Sequence, residues 1–237
     1  MFTNFKDRLY AFTIHLFLSA LLIAILLAAV MFSWFPNQLI YAGGITGLKI
    51  IISVDLILGP LLTFLVFNKA KKSLKFDLGF IAVLQLSCMA AGVWLMHKER
   101  PLAQVVADDG IHIISQSDFD FFDVTLPKHE GGIRPEFIFM DLPEDWSQLP
   151  ALKAATELVE EKPFTFRQDL YVNINNVTEA DFAKRIAKIQ SNLSIQSSLT
   201  RDIEHNCEWI PVISHHNSGE ACVTFEKGIV LLSDKKI

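Results

Sequence analysis

The sequence predicts an integral membrane protein in which three transmembrane α-helices are followed by one extracytoplasmic α+β domain. Of the 237 residues, 51% are hydrophobic and only 20% are charged, whereas an average soluble domain is about one quarter charged. Residues 1–100 carry nine Lys and Arg against four acidic residues, and residues 101–237 carry twelve against twenty-two. These differences divide the chain into a transmembrane region, 1–100, and an acidic α+β domain, 101–237.

Three long apolar segments are predicted to cross the bilayer, at about 12–34, 46–67 and 76–96. No Lys, Arg, Asp or Glu occurs between Arg8 and Lys49, and a helix needs about 20 apolar residues to cross the hydrocarbon core. A cleaved signal peptide is the alternative interpretation of the first segment. Its apolar stretch is too long for one, and two further spans follow it.

The distribution of basic residues predicts which loops face the cytoplasm. Lys6 and Arg8 precede the first span, and four lysines lie in 69–75 after the second, whereas 35–45 contains no Lys or Arg. Cytoplasmic loops are enriched in these residues. We therefore expect a cytoplasmic N-terminus and an outer C-terminal domain, since the two basic residues after the third span are outnumbered.

Asp55 is the most unusual residue of the membrane region, because it lies in the middle of the second span. An ionised carboxylate at that depth costs at least about 2.5 kcal/mol. One interpretation is a polar contact with a partner helix. The alternative is an internal pair with Lys49, Gln85 or a serine, or a protonated acid. Gln85, in the third span, is typical of a hydrogen bond between helices.

The Gly59-Pro60 pair interrupts the second span. Pro60 has no N–H to donate to the carbonyl of Leu56, which predicts a kink. Together with the two polar residues above, this pair completes the candidates for partner binding: Asp55, Gly59, Pro60 and Gln85.

Small residues recur every four positions in two of the spans. The first span has Ala20, Ala24 and Ala28, and Gly43 and Gly47 lie near the start of the second. Such spacing lets helix backbones approach closely. It predicts helix packing within the chain or against a partner.

Short-range patterns in the acidic half predict strands and helices. Asp108-Asp109-Gly110 between two apolar runs predicts a β-hairpin. Thr178, with Asp181 three residues later, predicts a capped helix start. Further strands are predicted at 135–140, 209–214, 221–225 and 229–232, and a further helix at 147–161. Together these elements predict an α+β domain.

Cys207 and Cys222 are the only cysteines of the acidic half, and we expect a disulfide because an oxidising compartment permits one. It would stabilise the domain by roughly 3 kcal/mol. A metal site is the alternative, because His205, His215 and His216 lie close in sequence. Their spacing matches no structural zinc pattern, so free thiols are the other alternative that remains.

No catalytic or cofactor motif occurs in the sequence, and we expect a protein that is not an enzyme and holds no cofactor or metal. Alternating Asp and Phe at 118–123 resemble a calcium loop. The interleaved Phe residues and the missing Gly favour the edge of an aromatic core instead. The acidic outer half argues against nucleic-acid binding, which requires a basic face.

Several segments resemble the TfpX/TfpZ family of type IV pilin accessory proteins. The resemblance covers about residues 1–115, and Val54-Asp55 through Gly59-Pro60-Leu61-Leu62-Thr63 is its most specific part. The other matching segments are Phe35-Pro36, Gly43-Gly44, Lys75-Phe76-Asp77-Leu78, Gln85-Leu86 and Arg100-Pro101.

The resemblance implies a non-catalytic accessory protein of the bacterial inner membrane, with a periplasmic C-terminal domain. Its implied partners are a type IV pilin subunit, the pilus assembly machinery and the lipid bilayer. A chaperone-like protein could hold the apolar helix of a pilin through close-packing faces and a mid-span polar group.

Two other functions compete with this one. A membrane-anchored periplasmic sensor or ligand-binding module would use the outer domain, but the predicted cytoplasmic segments are too short for an output domain. A membrane enzyme or transport component would use Asp55 to handle protons. Three spans are few for a transporter.

Overall fold

The computed structural model of the protein consists of two compact units. The first contains Met1–Ser33 and Gly44–Lys98, and the second contains Trp34–Gly43 and Glu99–Ile237. The structure describes residues 2–35, 39–125, 135–192, 207–215, 218–226 and 228–233.

The first unit is made of helices, and three of its helical segments are long and apolar enough to cross a membrane: Phe5–Ser33, Gly44–Val66 and Leu74–Lys98. The first lies within α1, and the third is α4. The second is not one regular helix, because a π-helix separates α2 from α3. The element bounds are α1 Phe2–Ser33, α2 Gly44–Ile51, π-helix Ile52–Leu58, α3 Gly59–Val66 and α4 Leu74–Lys98.

The second and third spans pack closely where two glycines meet. A Cβ atom on Gly47 would lie 2.5 Å from the main-chain oxygen of Gly92, and one on Gly92 would lie 2.5 Å from Ile51 Cγ1. Helix α2 can therefore approach α4 only because both positions lack a side chain. The alanine repeat of the first span, in contrast, is exposed.

The first span packs against α3 near the loop that precedes α4. The rings of Phe5 and Phe12 meet the Phe64 ring edge to face, with centroids 5.8 and 6.3 Å apart. Arg8 Nε donates a hydrogen bond to the main-chain oxygen of Phe67 at 2.9 Å. These contacts hold the charged start of α1 beside the end of the second span.

The second unit contains a seven-stranded mixed sheet in the order β4-β3-β1-β2-β5-β6-β7. Strand β1 pairs in parallel with β3, β2 pairs in parallel with β5, and the other neighbours are antiparallel. The strands are β1 Pro101–Val106, β2 Ile111–Ser115, β3 Glu136–Met140, β4 Tyr171–Asn173, β5 Glu208–Ser214, β6 Ser218–Thr224 and β7 Gly228–Ser233. This sheet and its helices confirm the predicted fold class.

The predicted hairpin at Asp108-Asp109-Gly110 is present between β1 and β2. Ala107 N–H donates to the main-chain oxygen of Gly110 at 2.9 Å. Gly110 has a φ of +147°, and a Cβ there would lie 2.4 Å from the oxygen of Pro211. Glycine is therefore required both by the backbone conformation and by the neighbouring strand.

In the described part of the second unit, three α-helices accompany the sheet: α5 (Gln116–Phe121), α6 (Leu149–Glu160) and α7 (Glu179–Asn192). The predicted cap of α7 is confirmed, because Thr178 Oγ1 accepts a hydrogen bond from Asp181 N–H at 3.1 Å. Helix α6 lies within the predicted 147–161, and Leu158 and Val159 near its end are more than 80% exposed.

Helix α5 was not predicted, and it occupies the run that resembles a calcium loop. Ser115 and Asp118 form a capping box that starts it. Phe119 is buried in the core, while Phe121 is exposed. Asp118 therefore caps a helix. The alternation of Asp and Phe alone does not predict this role.

One hydrophobic core of the second unit involves residues of α5, α6 and the neighbouring short 3-10 helices. It contains Val105, Ile114, Ile138, Leu149 and Phe166, all buried. On α7, the apolar residues Phe182, Ile186 and Ile189 are also buried. The first of these meets the rings of Phe137 and Phe225.

The predicted disulfide between Cys207 and Cys222 is present. The first cysteine immediately precedes β5 and the second lies in β6. The Cα atoms are 5.4 Å apart, a usual separation for a bridge. Cys88, in α4, is a free cysteine.

Candidate functional site in the membrane helices

The second span changes its hydrogen-bonding register at Asp55. Residues Ile52–Leu58 form a π-helix, and Gly59 N–H donates to the main-chain oxygen of Val54. In this i→i+5 register the donor to the oxygen of Asp55 would be residue 60. Pro60 has no N–H, so the main-chain oxygen of Asp55 has no donor within the helix. The break predicted at Gly59-Pro60 therefore accompanies a π-helical segment.

A side chain from the third span supplies the missing donor. Gln85 Nε2 lies 3.4 Å from the main-chain oxygen of Asp55, which is a long hydrogen bond. The Gln85 amide can lie this close because of Gly59, where a Cβ atom would be 2.1 Å from Nε2. The four residues Asp55, Gly59, Pro60 and Gln85 therefore lie together.

His15 of the first span extends this polar cluster. Its Nε2 lies 2.9 Å from Gln85 Oε1, and its Nδ1 lies 2.6 Å from Thr63 Oγ1. Because Oε1 is only an acceptor, Nε2 must carry a proton, and in the neutral ring Nδ1 then accepts from the Thr63 hydroxyl. These hydrogen bonds join all three spans.

The Asp55 carboxyl is not satisfied by this network. The residue is 1% exposed, and among the described residues neither Oδ1 nor Oδ2 has a hydrogen-bond partner. The hydrogen bond from the Gln85 amide to Asp55 goes to the main-chain oxygen, and the same amide lies close enough to the carboxyl to interact with it. Buried polar atoms are normally hydrogen-bonded, which makes this carboxyl exceptional among the buried groups of its unit.

A groove of about 650 Å³ runs between α1 and α4 and reaches Asp55. Its walls are largely apolar, and the polar cluster lies at its floor. Lining residues come from one face of each helix: Ile14, His15, Leu18 and Leu22 of α1, and Leu78, Ala82, Gln85 and Leu86 of α4. The groove therefore combines an apolar surface with one unsatisfied carboxyl.

The second unit has a smaller cleft of about 350 Å³ with charged walls, including Asp109, His112 and Lys153. His112 Nε2 donates to Asp109 Oδ1 at 2.7 Å. Lys153 Nζ lies 2.8 Å from Asp108 Oδ1 and 3.5 Å from Asp109 Oδ2. Asp109, His112 and Lys153 are therefore paired with one another.

These pairs shift the pKa values of the cleft residues. Burial alone would raise the pKa of Asp109, but the hydrogen bond from His112 and the charge of Lys153 lower it to about 2. Burial would lower the pKa of Lys153, but the two carboxylates beside it raise it. Both groups are thus held in their charged forms.

Comparison with known proteins identifies the relatives of this chain. It is 35% identical to the fimbrial assembly protein of Dichelobacter nodosus serogroups C1 and C2 over 108 residues, which is 44% of this chain and 82% of that protein. The chain belongs to the fimbrial assembly protein family.

Two longer members of the family are also similar. The fimbrial assembly proteins of serogroups I and E1 of the same organism are 35% and 34% identical, and the match covers 42% of each. The chain thus aligns with less than half the length of these two relatives. No family model and no solved structure matches it.

Sequence patterns alone did not predict the roles of His15 and Thr63. A histidine near the end of an apolar span is typical of an interfacial residue, but His15 bonds to two other spans. The sequence contained one indication of the role of His15, because Ser19, another polar residue of the first span, lies one helical turn further along. In the structure both residues line the same groove. Thr63 alone gave no such indication, because a single hydroxyl is common in an apolar span.

The metal alternative depends on three histidines, of which His205 and His216 lie outside the described residues. His215 is 74% exposed, and its Nδ1 lies 3.9 Å from Asp118 Oδ1. Within the described part of the chain, no group of three His, Cys, Asp or Glu side chains could hold a metal ion.

Proposed function

We propose that this protein is a non-catalytic accessory protein of the bacterial inner membrane that binds type IV pilin during pilus assembly. The observation that carries the proposal is the buried Asp55 carboxyl, which has no partner in its own unit and lies at the floor of a groove between two spans. A protein retains such a costly group in the bilayer when the group has a function.

The family to which the chain belongs supports a role in pilus assembly. The relatives are named fimbrial assembly proteins, and the motif from Val54 to Thr63 resembles the TfpX/TfpZ pilin accessory proteins. The same motif contains Asp55, Gly59, Pro60 and Thr63, which surround the polar cluster. The sequence that carries the resemblance is therefore also the sequence that builds the site.

The proposed orientation has the N-terminus in the cytoplasm and the α+β domain in the periplasm. Lys and Arg are abundant at the proposed cytoplasmic ends, and the Cys207–Cys222 bridge is compatible with an oxidising compartment. Reporter fusions after Leu39 and Leu102 should read as periplasmic, and one within 69–74 as cytoplasmic. A cytoplasmic result after Leu102 would refute this orientation.

Deletion of the gene for this protein in a piliated host tests the proposed function. We expect the number or dynamics of surface pili to change while pilin is still synthesised, and full-length tagged protein to recover pilin from solubilised membranes. A tagged membrane protein of similar abundance is the control. Normal pili together with no pilin in the purified material would refute the proposal.

The charged cleft of the second unit favours one alternative, a membrane-anchored ligand-binding module. Its groups Asp109, His112 and Lys153 would then contact a small polar ligand. Substitution of Lys153 by Met separates the two functions. If the membrane groove carries the function, pilin recovery and piliation should be unchanged in this variant. If the cleft binds a small ligand that the function needs, piliation should be altered as in the deletion, while recovery of pilin gives no more than the control.

A further inference from the structure

We infer that the groove between α1 and α4 receives one transmembrane helix, and that a hydrogen-bond donor on that helix pairs with the carboxyl of Asp55. This inference rests on the proposed function, which makes pilin the protein that supplies the helix. It adds the location of the contact and the chemistry of the group that is recognised.

The unsatisfied carboxyl determines the chemistry of the occupant. A carboxylate can only accept hydrogen bonds, and a protonated acid still needs a partner for its second oxygen. A lipid chain has no hydrogen-bond donor, so lipid in the groove would leave the Asp55 carboxyl without a partner. An amine, hydroxyl or amide N–H on a helix would donate a hydrogen bond to the carboxyl and so offset the free-energy cost of burying it.

The Gln85 amide separates the Asp55 carboxyl from such a donor. Both carboxyl oxygens are buried, so a donor in the groove reaches them only when this amide turns away. The amide is held by the hydrogen bond from His15 to its Oε1, at 2.9 Å, and by the 3.4 Å bond from its Nε2 to the main-chain oxygen of Asp55. The proposed donor therefore takes the place of the Gln85 amide beside the carboxyl.

The groove walls fit a helix because they are apolar helix faces. Leu18 and Leu22 of α1 and Leu86 of α4 line the groove and remain exposed. Without a hydrophobic driving force in lipid, helices associate through close packing and hydrogen bonds between them. The groove offers both, in the form of a concave apolar surface and a single acceptor.

Site-specific crosslinking in native membranes tests the location with matched controls. A photoreactive residue replaces Leu22 or Leu86 in the groove, or Leu21 or Val83 outside it, in the full-length protein. Exposure is similar within each pair, at 45% for Leu22 against 49% for Leu21 and 61% for Leu86 against 64% for Val83. We expect several-fold more pilin adduct from the two groove positions.

Substitution of Asp55 by Leu tests the donor contact, with Ser53→Leu as the control in the same span. Adducts from the groove positions, normalised to the protein in the membrane, should fall about threefold in Asp55→Leu, because polar contacts between helices in bilayers are weak. Ser53 is exposed, and its substitution should leave the adducts unchanged.

The outcomes separate this inference from the proposed function. Equal adducts from all four positions would overturn the groove but leave pilin binding in place. Groove adducts that persist in Asp55→Leu would overturn the donor contact. If pilin is neither crosslinked nor recovered with the unsubstituted protein, the proposed function fails. The four-position comparison remains decisive even if Asp55→Leu does not accumulate in the membrane.

Discussion

The two units of this protein differ in how their acidic side chains are satisfied. In the second unit, the half-buried Asp109 is paired with His112 and Lys153, and the buried side chain of Gln104 accepts a hydrogen bond from Ile229 N–H. In the first unit, the membrane unit that contains the three spans, neither carboxyl oxygen of the buried Asp55 has a hydrogen-bond partner among the described residues. The second unit also has buried atoms without such a partner, but they are single atoms, of Arg100, Arg185 and Glu220 among others. The acid that lacks a partner for both oxygens therefore lies in the unit where an unpaired group costs most.

This difference indicates how each unit uses its polar residues. In the second unit, ion pairs and capping side chains stabilise the domain, and Asp109 of the charged cleft is paired with His112 and Lys153. In the membrane unit, the hydrogen bonds of His15, Thr63 and Gln85 join the spans but do not include the Asp55 carboxyl oxygens. The paired acid Asp109 thus has a structural role in one unit, and the buried acid Asp55 has a binding role, as proposed, in the other.

Removal of the disulfide should give the largest effect and should be confined to the second unit. Substitution of both Cys207 and Cys222 by Ser should reduce the free energy of unfolding of that domain by about 3 kcal/mol. Thermal unfolding of the purified full-length protein measures it, with Cys88→Ser as the control. A double variant that melts like the unsubstituted protein would show that the sheet does not depend on the bridge.

Close packing in the membrane unit should give the next largest effect. Gly47→Ala places a Cβ against the main chain of Gly92 and should destabilise helix packing by about 2 kcal/mol. Gly79→Ala is the matched control, because a Cβ at Gly79 meets no atom within 4 Å. The measurement is the amount of folded protein in membranes, and equal amounts for both variants would contradict the expectation.

The pH dependence of the second unit should reveal the Asp109 pair. The pKa of Asp109 is about 2 in the fold, below its ordinary value of 3.8, so the pair stabilises the domain above about pH 4. That contribution is lost as the pH falls from 4 to 2. Because the side chain is 36% exposed, we expect about 1 kcal/mol rather than the full value of the shift.

Asp109→Asn is the variant that checks this. It should be less stable than the unsubstituted protein at neutral pH, and its melting temperature should fall less steeply between pH 4 and 2. Parallel curves for the two proteins would assign the acid sensitivity to other carboxylates.

The smallest effect is expected from the ion pair of the membrane unit. Lys69 Nζ lies 2.7 Å from Asp7 Oδ1, but the side chains are 67% and 37% exposed. Such surface pairs contribute roughly 0–1 kcal/mol. Lys69→Met should therefore leave the amount of folded protein in membranes nearly unchanged. A marked loss would show that this end of the bundle depends on charge, in contrast with its apolar contacts.

Local patterns in the sequence predicted much of the fold. The three spans follow from uninterrupted apolar stretches, the hairpin from Asp-Gly, and the start of α7 from Thr178 and Asp181. Each depends on residues within a few positions of one another. Strand β4 was not predicted, because its three residues, Tyr171–Asn173, are too few to show an alternation of apolar and polar side chains. This strand depends on its pairing with β3.

By itself, the sequence determined that Asp55, Gly59, Pro60 and Gln85 are exceptional residues in apolar segments. Only the tertiary structure decided that these residues meet, that His15 joins them, and that the Asp55 carboxyl oxygens have no hydrogen-bond partner in the part of the chain that the structure describes. His15 is 48 residues from Thr63 and 70 from Gln85. Contacts over such separations depend on how helices pack, and packing is set by the whole bundle rather than by any local pattern.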